Sequence, residues 1–155
     1  MTGLLTVIYV MAAVAAQDPN ASRDTKLIAD VQQLSADKLD PALASVPFEK
    51  WLQTQAGANA RFHWEVNDCG EQSGSPGEKG PVPVCVEVDT TLPDGREIII
   101  FVGNDQPKEN RPPEWKLFFA QLVMPHETIK IRRLSELPAA LTKTRQPGEN
   151  PEDSK

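Results

Sequence analysis

Residues 64–89 read WEVNDCGEQSGSPGEKGPVPVCVEVD. Two alternating runs flank a loop rich in Gly and Pro, and the chain's two cysteines, Cys69 and Cys85, stand at its ends. In Phe62-His63-Trp64-Glu65-Val66, apolar and polar residues alternate with period 2, the pattern of a half-buried strand. Continued to Cys69, that alternation puts the thiol on the polar side with His63 and Glu65. In Val84-Cys85-Val86-Glu87-Val88-Asp89 the valines share one face, and Cys85 stands opposite with Glu87 and Asp89. Both cysteines therefore belong to the outer face of neighbouring strands. A Cys69–Cys85 disulfide is expected there, stapling the hairpin across residues 70–84. A redox-active pair would want the tight C-x-x-C spacing near a helix N-terminus. Two cysteines and two distant histidines do not make a metal-ligand cluster either.

A disulfide needs an oxidising compartment, and the N-terminus supplies a route to one. It reads MTGLLTVIYVMAAVAAQD. The apolar run from Leu4 to Ala16 is shorter than the roughly 20 residues that span a bilayer. It has the length of a signal-peptide h-region, with small residues at Ala13, Ala15 and Ala16 that suit cleavage. The segment before it, MTG, lacks the usual Lys or Arg. Residues 1–16 are read as a signal peptide, and the protein as secreted or periplasmic. No stable membrane span is expected after cleavage.

Downstream of 17–23, read as a flexible lead, the period is helical. Leu27, Ile28, Val31 and Leu34 form one apolar stripe from a start near Asp24. Asp40-Pro41 fits an N-cap followed by Pro at N1, with Leu43 and Val46 on its apolar face. Pro47 restarts the chain, and Phe48, Trp51 and Leu52 repeat the helical spacing up to Gly57. The period then changes to 2. Strands are expected near 60–67, 83–91, 96–103, 114–124 and 129–132. Pro93-Asp94-Gly95 supplies a turn between the second and third, and PHET another between the fourth and fifth. The run REIIIFVG implies burial on both faces or a central place in the sheet. A short helix uses Leu137 and Leu141, and residues 144–155 read by composition as a disordered tail.

Five successive strands with short connections make an antiparallel meander. Its apolar face needs a cover, and the N-terminal helices have stripes with nothing else to pack on. The expected fold is an α+β two-layer sandwich over residues 24–143, N-terminal helices on one face and a short C-terminal helix. Trp51, Phe62, Trp64, Phe101, Trp115 and Phe119 are candidates for the core or its rim.

Charge excludes one class of function. The chain carries 16 Lys+Arg against 22 Asp+Glu, a net charge of -6, whereas nucleic-acid affinity comes mainly from Lys and Arg on phosphate. No nucleic-acid partner is expected. Nor is there a G-x-S-x-G or Walker motif. His126-Glu127-Thr128-Ile129-Lys130 begins as H-E-x-x-H does, but lacks the second histidine and falls in a turn. Glu65, Asp68, Glu71, Glu87, Asp89 and Asp94 crowd the hairpin without the spacing of a calcium loop. No cofactor or metal is expected.

Two functions follow. The first is a non-catalytic binding domain for another exported or cell-envelope protein. Exposed loops on a rigid sheet are where recognition concentrates, which makes Asn104, Asp105, Gln106, Lys108, Asn110 and Arg111 the binding-loop candidates. The alternative is a small secreted hydrolase in which His63 works with the carboxylates of Glu65 and Glu87.

Overall fold

The structure, a computed structural model, describes residues 19–69, 84–105 and 114–144. The expected signal peptide, both long loops (70–83 and 106–113) and the tail from 145 lie outside the described residues. The chain folds as α1 (Pro19–Gln33), α2 (Ala36–Leu39), α3 (Phe48–Ala56), β1 (His63–Asp68), β2 (Val84–Thr91), β3 (Glu97–Asp105), β4 (Glu114–Val123), β5 (Thr128–Lys130), a 3₁₀ turn (Leu134–Glu136) and α4 (Leu137–Lys143). The strands form one antiparallel sheet in the order β1-β2-β3-β4-β5, the expected meander.

The helices lie on one face of this sheet. Val31, Phe48, Trp51 and Leu52 from the helices merge with Val86, Val88, Ile98, Ile100, Val102, Ala120 and Leu122 from the strands into a single buried core. Leu134 and Leu137 close it at the C-terminal end. Each strand contributes alternate residues, as the pleat requires. Valine and isoleucine dominate because β-branched side chains pack well on that surface.

Local chemistry sets the boundaries. α1 begins at Pro19, five residues before the Asp24 start expected from the apolar stripe. Pro47 precedes α3, and Gly57 ends it with φ of 103°, a backbone state open to glycine and strained for other residues. Gly95 does the same in the β2–β3 turn, with φ of 82°.

Asp40 differs from its expected role. It does not cap a helix starting at Pro41. It is the C-cap of α2, and the chain beyond it folds back so that Ala36 N–H donates to Val46 O and Phe48 N–H to Leu34 O. The buried carboxylate accepts from Ala42 N–H at 3.0 Å and from Ser135 N–H at 2.8 Å. Burial opposes its ionisation. The Ser135 and Ala42 backbone donors, the Ser135 side chain and the Arg133 charge outweigh that, and its pKa lies below the usual value. Asp40 thus ties the N-terminal helices to the C-terminal turn.

Cys69 and Cys85 form the expected disulfide, with Cα atoms 5.3 Å apart. Cys85 lies opposite Asn67 in the register, and Cys69 follows directly after β1. The bond closes a loop with a sequence separation of 16. Closure of a loop of that size removes about 3 kcal/mol of denatured-state freedom by the chain-entropy account. Urea denaturation with and without reductant should therefore show a stability loss of roughly that size. Coincident curves would mean that the hairpin is held by its strands alone.

Candidate functional site

Among the described residues, the face of the sheet away from the helices is left uncovered. Its residues follow from the register. One row runs His63, Asp89, Ile99, Gln121 and Lys130; the next runs Glu65, Glu87, Phe101 and Phe119. Polar residues therefore occupy the β1–β2 side, and aromatic residues the β3–β4 side.

On the polar side, His63 Nδ1 lies 2.9 Å from Asp89 Oδ2. The two are cross-strand partners, so the pleat brings them together without any loop. Glu65 and Glu87 form the next such pair. Like charges placed directly opposite repel, and Asn67 relieves this by donating from Nδ2 to Glu65 Oε1 at 2.7 Å and also to Glu87 Oε2. Partial burial raises the Glu87 pKa, and the hydrogen bond and charge of Glu65 raise it further.

The hydrogen bond to Asp89 and then the Asp89 charge raise the His63 pKa, with smaller contributions from Glu65 and Glu87. Raised in the folded state, it contributes stability that is fully present below the unfolded value of about 6.5 and is lost as pH rises through the folded value. An NMR titration of the His63 ring should give a midpoint above that of an unfolded reference. Asp89→Asn should bring the midpoint down. An identical midpoint in the variant would mean the pair is not formed in solution.

On the aromatic side, Phe101 and Phe119 meet edge to face, with ring centroids 6.0 Å apart. Lys130 Nζ stands 5.8 Å from the Phe119 centroid, within cation–π range. The β3–β4 register shifts between Phe101 and Val102, which pair with Phe119 and Leu117. Phe118 is the extra residue of this β-bulge. A side chain on Gly103 would meet Phe118 Cβ and Cδ2 at 3.5 Å and Cys85 Sγ at 3.6 Å. Phe118 therefore lies over the space that glycine leaves beside the disulfide. It remains 40% exposed, the one large hydrophobic residue so exposed among the described residues.

This arrangement corrects the placement expected for the aromatics. Trp51 is buried in the core, and Phe62, Trp64 and Trp115 pack against it. Phe101 and Phe119 lie on the opposite, open face. β3 holds the central place that its apolar run implied, but burial on both faces is not what the run encodes. Ile98, Ile100 and Val102 are buried, whereas Ile99 and Phe101 are half-buried on the open face.

The sequence-derived site residues fall in three places. His63, Glu65 and Glu87 do share one face, but His63 bonds to Asp89, and its side chain is 65% exposed. Asn104 and Asp105 belong to the end of β3, opposite Trp115 and Glu114. Gln106, Lys108, Asn110 and Arg111 lie outside the described residues. Asp94 pairs with Arg96 at 2.6 Å in the β2–β3 turn. Among the described residues no group of three or more His, Cys, Asp or Glu is placed to hold a metal ion.

Sequence reasoning missed Phe118. A signal was present: the core-facing residues of β4 are Trp115 and Leu117, then Ala120 and Leu122. The change from odd to even positions demands one extra residue, and the bulge supplies it at Phe118.

Fold and open face together define a disulfide-stapled α+β two-layer domain with a half-polar, half-aromatic sheet surface. No family model, curated protein or solved structure matches this chain.

Proposed function

We propose that the protein is a small exported, non-catalytic interaction domain that presents the open face of its sheet to another exported or cell-envelope protein. The observation that carries this reading is Phe118, 40% exposed beside Phe101 and Phe119 on the face that the helices leave uncovered. An aromatic centre with a polar rim is the usual make-up of a binding surface. The Cys69–Cys85 disulfide fits an oxidising compartment, and the apolar segment 4–16 is the export signal in this reading.

The test places a photo-crosslinking amino acid at position 118 in the protein expressed in its own host. A saturable crosslink to one exported protein, lost when Glu65 and Glu87 are both replaced by Lys, is expected. Absence of any crosslink at 118 would overturn the reading. Crosslinks obtained only from positions 106–111 would transfer the function to that loop.

The second reading is a secreted hydrolase using His63 with neighbouring carboxylates, and the hydrogen bond that orients the His63 ring against Asp89 is the observation in its favour. Hydrolysis lost in His63→Ala, with the fold intact, would establish it.

A further inference from the structure

The two edges of the sheet are unlike. β5 is three residues long and carries Lys130, and short edge strands bearing lysine resist pairing with other chains. β1 is six residues long, has neither proline nor lysine, and pairs with β2 alone.

Register fixes which amides of β1 face outward. In an antiparallel ladder, bonded and non-bonded pairs alternate. Leu92 N–H donates to Arg96 O, so Thr90–Ile98, Val88–Ile100 and Val86–Val102 are the bonded pairs between β2 and β3. The residues between them, Cys85, Glu87 and Asp89, turn their backbone groups to β1 and bond Asn67, Glu65 and His63. Trp64 and Val66 therefore direct N–H and C=O away from the sheet. Among the described residues, no loop or side chain bonds them there.

This edge is held ready. The Cys69–Cys85 disulfide fixes its C-terminal end to β2, and Thr90 Oγ1 donates to Arg61 O at 2.8 Å just before its start. A template fixed at both ends loses little freedom when a strand is added.

The two sides of the edge call for different residues. On the helix side, Trp64 and Val66 are only half-buried, whereas their partners Val88 and Val86 are 1% and 0% exposed. Apolar burial stops one strand short of completion. On the other side, Glu65 stands opposite Glu87, with Asp89 in the next row. His63 offsets Asp89, and Asn67 bridges the two glutamates without cancelling their charge.

We propose that β1 is a strand-addition site that takes one extended segment of a partner protein, antiparallel, with apolar residues opposite Trp64 and Val66 and a lysine or arginine opposite Glu65. In strand addition the main-chain bonds give affinity and alternate side chains give specificity. The apolar residues continue the core past Trp64 and Val66. The cation between them faces Glu65 across the ladder, where opposite charges attract. The site is separate from the Phe118 surface and does not depend on it.

The test uses a capped synthetic peptide that alternates valine and lysine over the length of β1. It is titrated to about 1 mM into the oxidised protein as exported by its host, and amide hydrogen exchange is followed by NMR. The Trp64 and Val66 amides should exchange freely without peptide and slow at least about tenfold with it, while Glu65, bonded to β2, is slow throughout. Glutamate in place of the peptide's lysines should weaken binding at least about tenfold, and Glu65→Lys in the protein should narrow that preference. The peptide's valines stand opposite Trp64 and Val66 as bonded pairs, so their N-methylation should abolish binding, and N-methylation of the lysines should not. Val66→Pro removes an outward N–H and should abolish binding too. Circular dichroism establishes that this variant is folded, and the N-methylated peptides carry the test if it is not. Trp64 and Val66 amides already protected in dilute protein would mean that the chain itself covers the edge. Protection that rises with protein concentration alone would give the edge to a second copy. Binding indifferent to valine N-methylation would place the peptide elsewhere. Each of these three results overturns the site. The crosslink at 118 is read independently, so either surface can fail without the other.

Discussion

Replacing Phe48 with Ala is expected to destabilise the protein by about 3–5 kcal/mol, the range for deleting a buried aromatic ring. Phe48 opens α3 and is wholly buried. Its ring stacks with Trp51 one turn later at 6.0 Å and meets Trp64 of β1 edge-on at 6.2 Å. Trp64 in turn packs against Phe62 at 6.5 Å. Removing the first ring therefore unsupports a chain of aromatics that joins the helical layer to the edge strand. Contacts of that kind add to plain area burial. Little collapse is available, because Phe48 N–H is held by Leu34 O at 2.7 Å and the backbone cannot follow the lost ring inward. Urea denaturation followed by tryptophan fluorescence measures the loss. A midpoint equal to wild type would mean that the helices do not pack on the sheet as described.

The second large effect is expected at Arg96. This buried residue joins the β2–β3 turn to the C-terminal helix. Its guanidinium binds Asp94 at 2.6 Å and donates to Leu141 O at 2.8 Å and Thr144 Oγ1 at 2.6 Å. The side chains of Arg96 and Asp94 are only 10% and 15% exposed, so solvent screens the pair weakly. Arg96→Ala strands the Asp94 carboxylate and two acceptors at the end of α4. Breaking such a pair from one side costs about 3–5 kcal/mol.

The pH dependence separates charge from packing at this position. Burial opposes ionisation of Asp94, but its hydrogen bonds from the Arg96 side chain and backbone, together with the Arg96 charge, hold its pKa below the usual value. A depressed carboxyl contributes stability that is present above its unfolded value and is lost as pH falls through the folded one. The deficit of Arg96→Ala should therefore be largest near neutral pH and shrink in acid. A deficit independent of pH would assign the effect to packing alone. Hydrogen exchange should accelerate first in α4, which loses its attachment to the turn.

Much of this was legible in the residues. Alternation in Phe62–Val66 and Val84–Asp89 identified two strands, and the same alternation put both cysteines on the outer face. The disulfide followed because the period of a strand is 2 and a covalent bond reaches only a near neighbour. Pro47 and Gly57 bounded α3 by their backbone restrictions. Asp40-Pro41 misled, because a short acidic residue before proline serves an N-cap and a folded-back turn alike. What distinguishes them is Ser135, far along the chain, whose N–H the carboxylate accepts.

By itself, then, the sequence determined the period of each segment, the order of elements and the pairing of Cys69 with Cys85. These depend on neighbours a few residues apart and on backbone preferences each residue carries anywhere. The tertiary structure decided which half of an unbroken apolar run faces the helices. In Ile98-Ile99-Ile100-Phe101-Val102 hydrophobicity does not alternate, and only the helical layer, by covering one face, buries Ile98, Ile100 and Val102 while leaving Ile99 and Phe101 half-buried. It also decided the chemistry of the open face. His63 meets Asp89, Glu65 meets Glu87 and Phe118 lies over Gly103 because strand register, a property of pairs of segments, sets residues distant in the chain side by side.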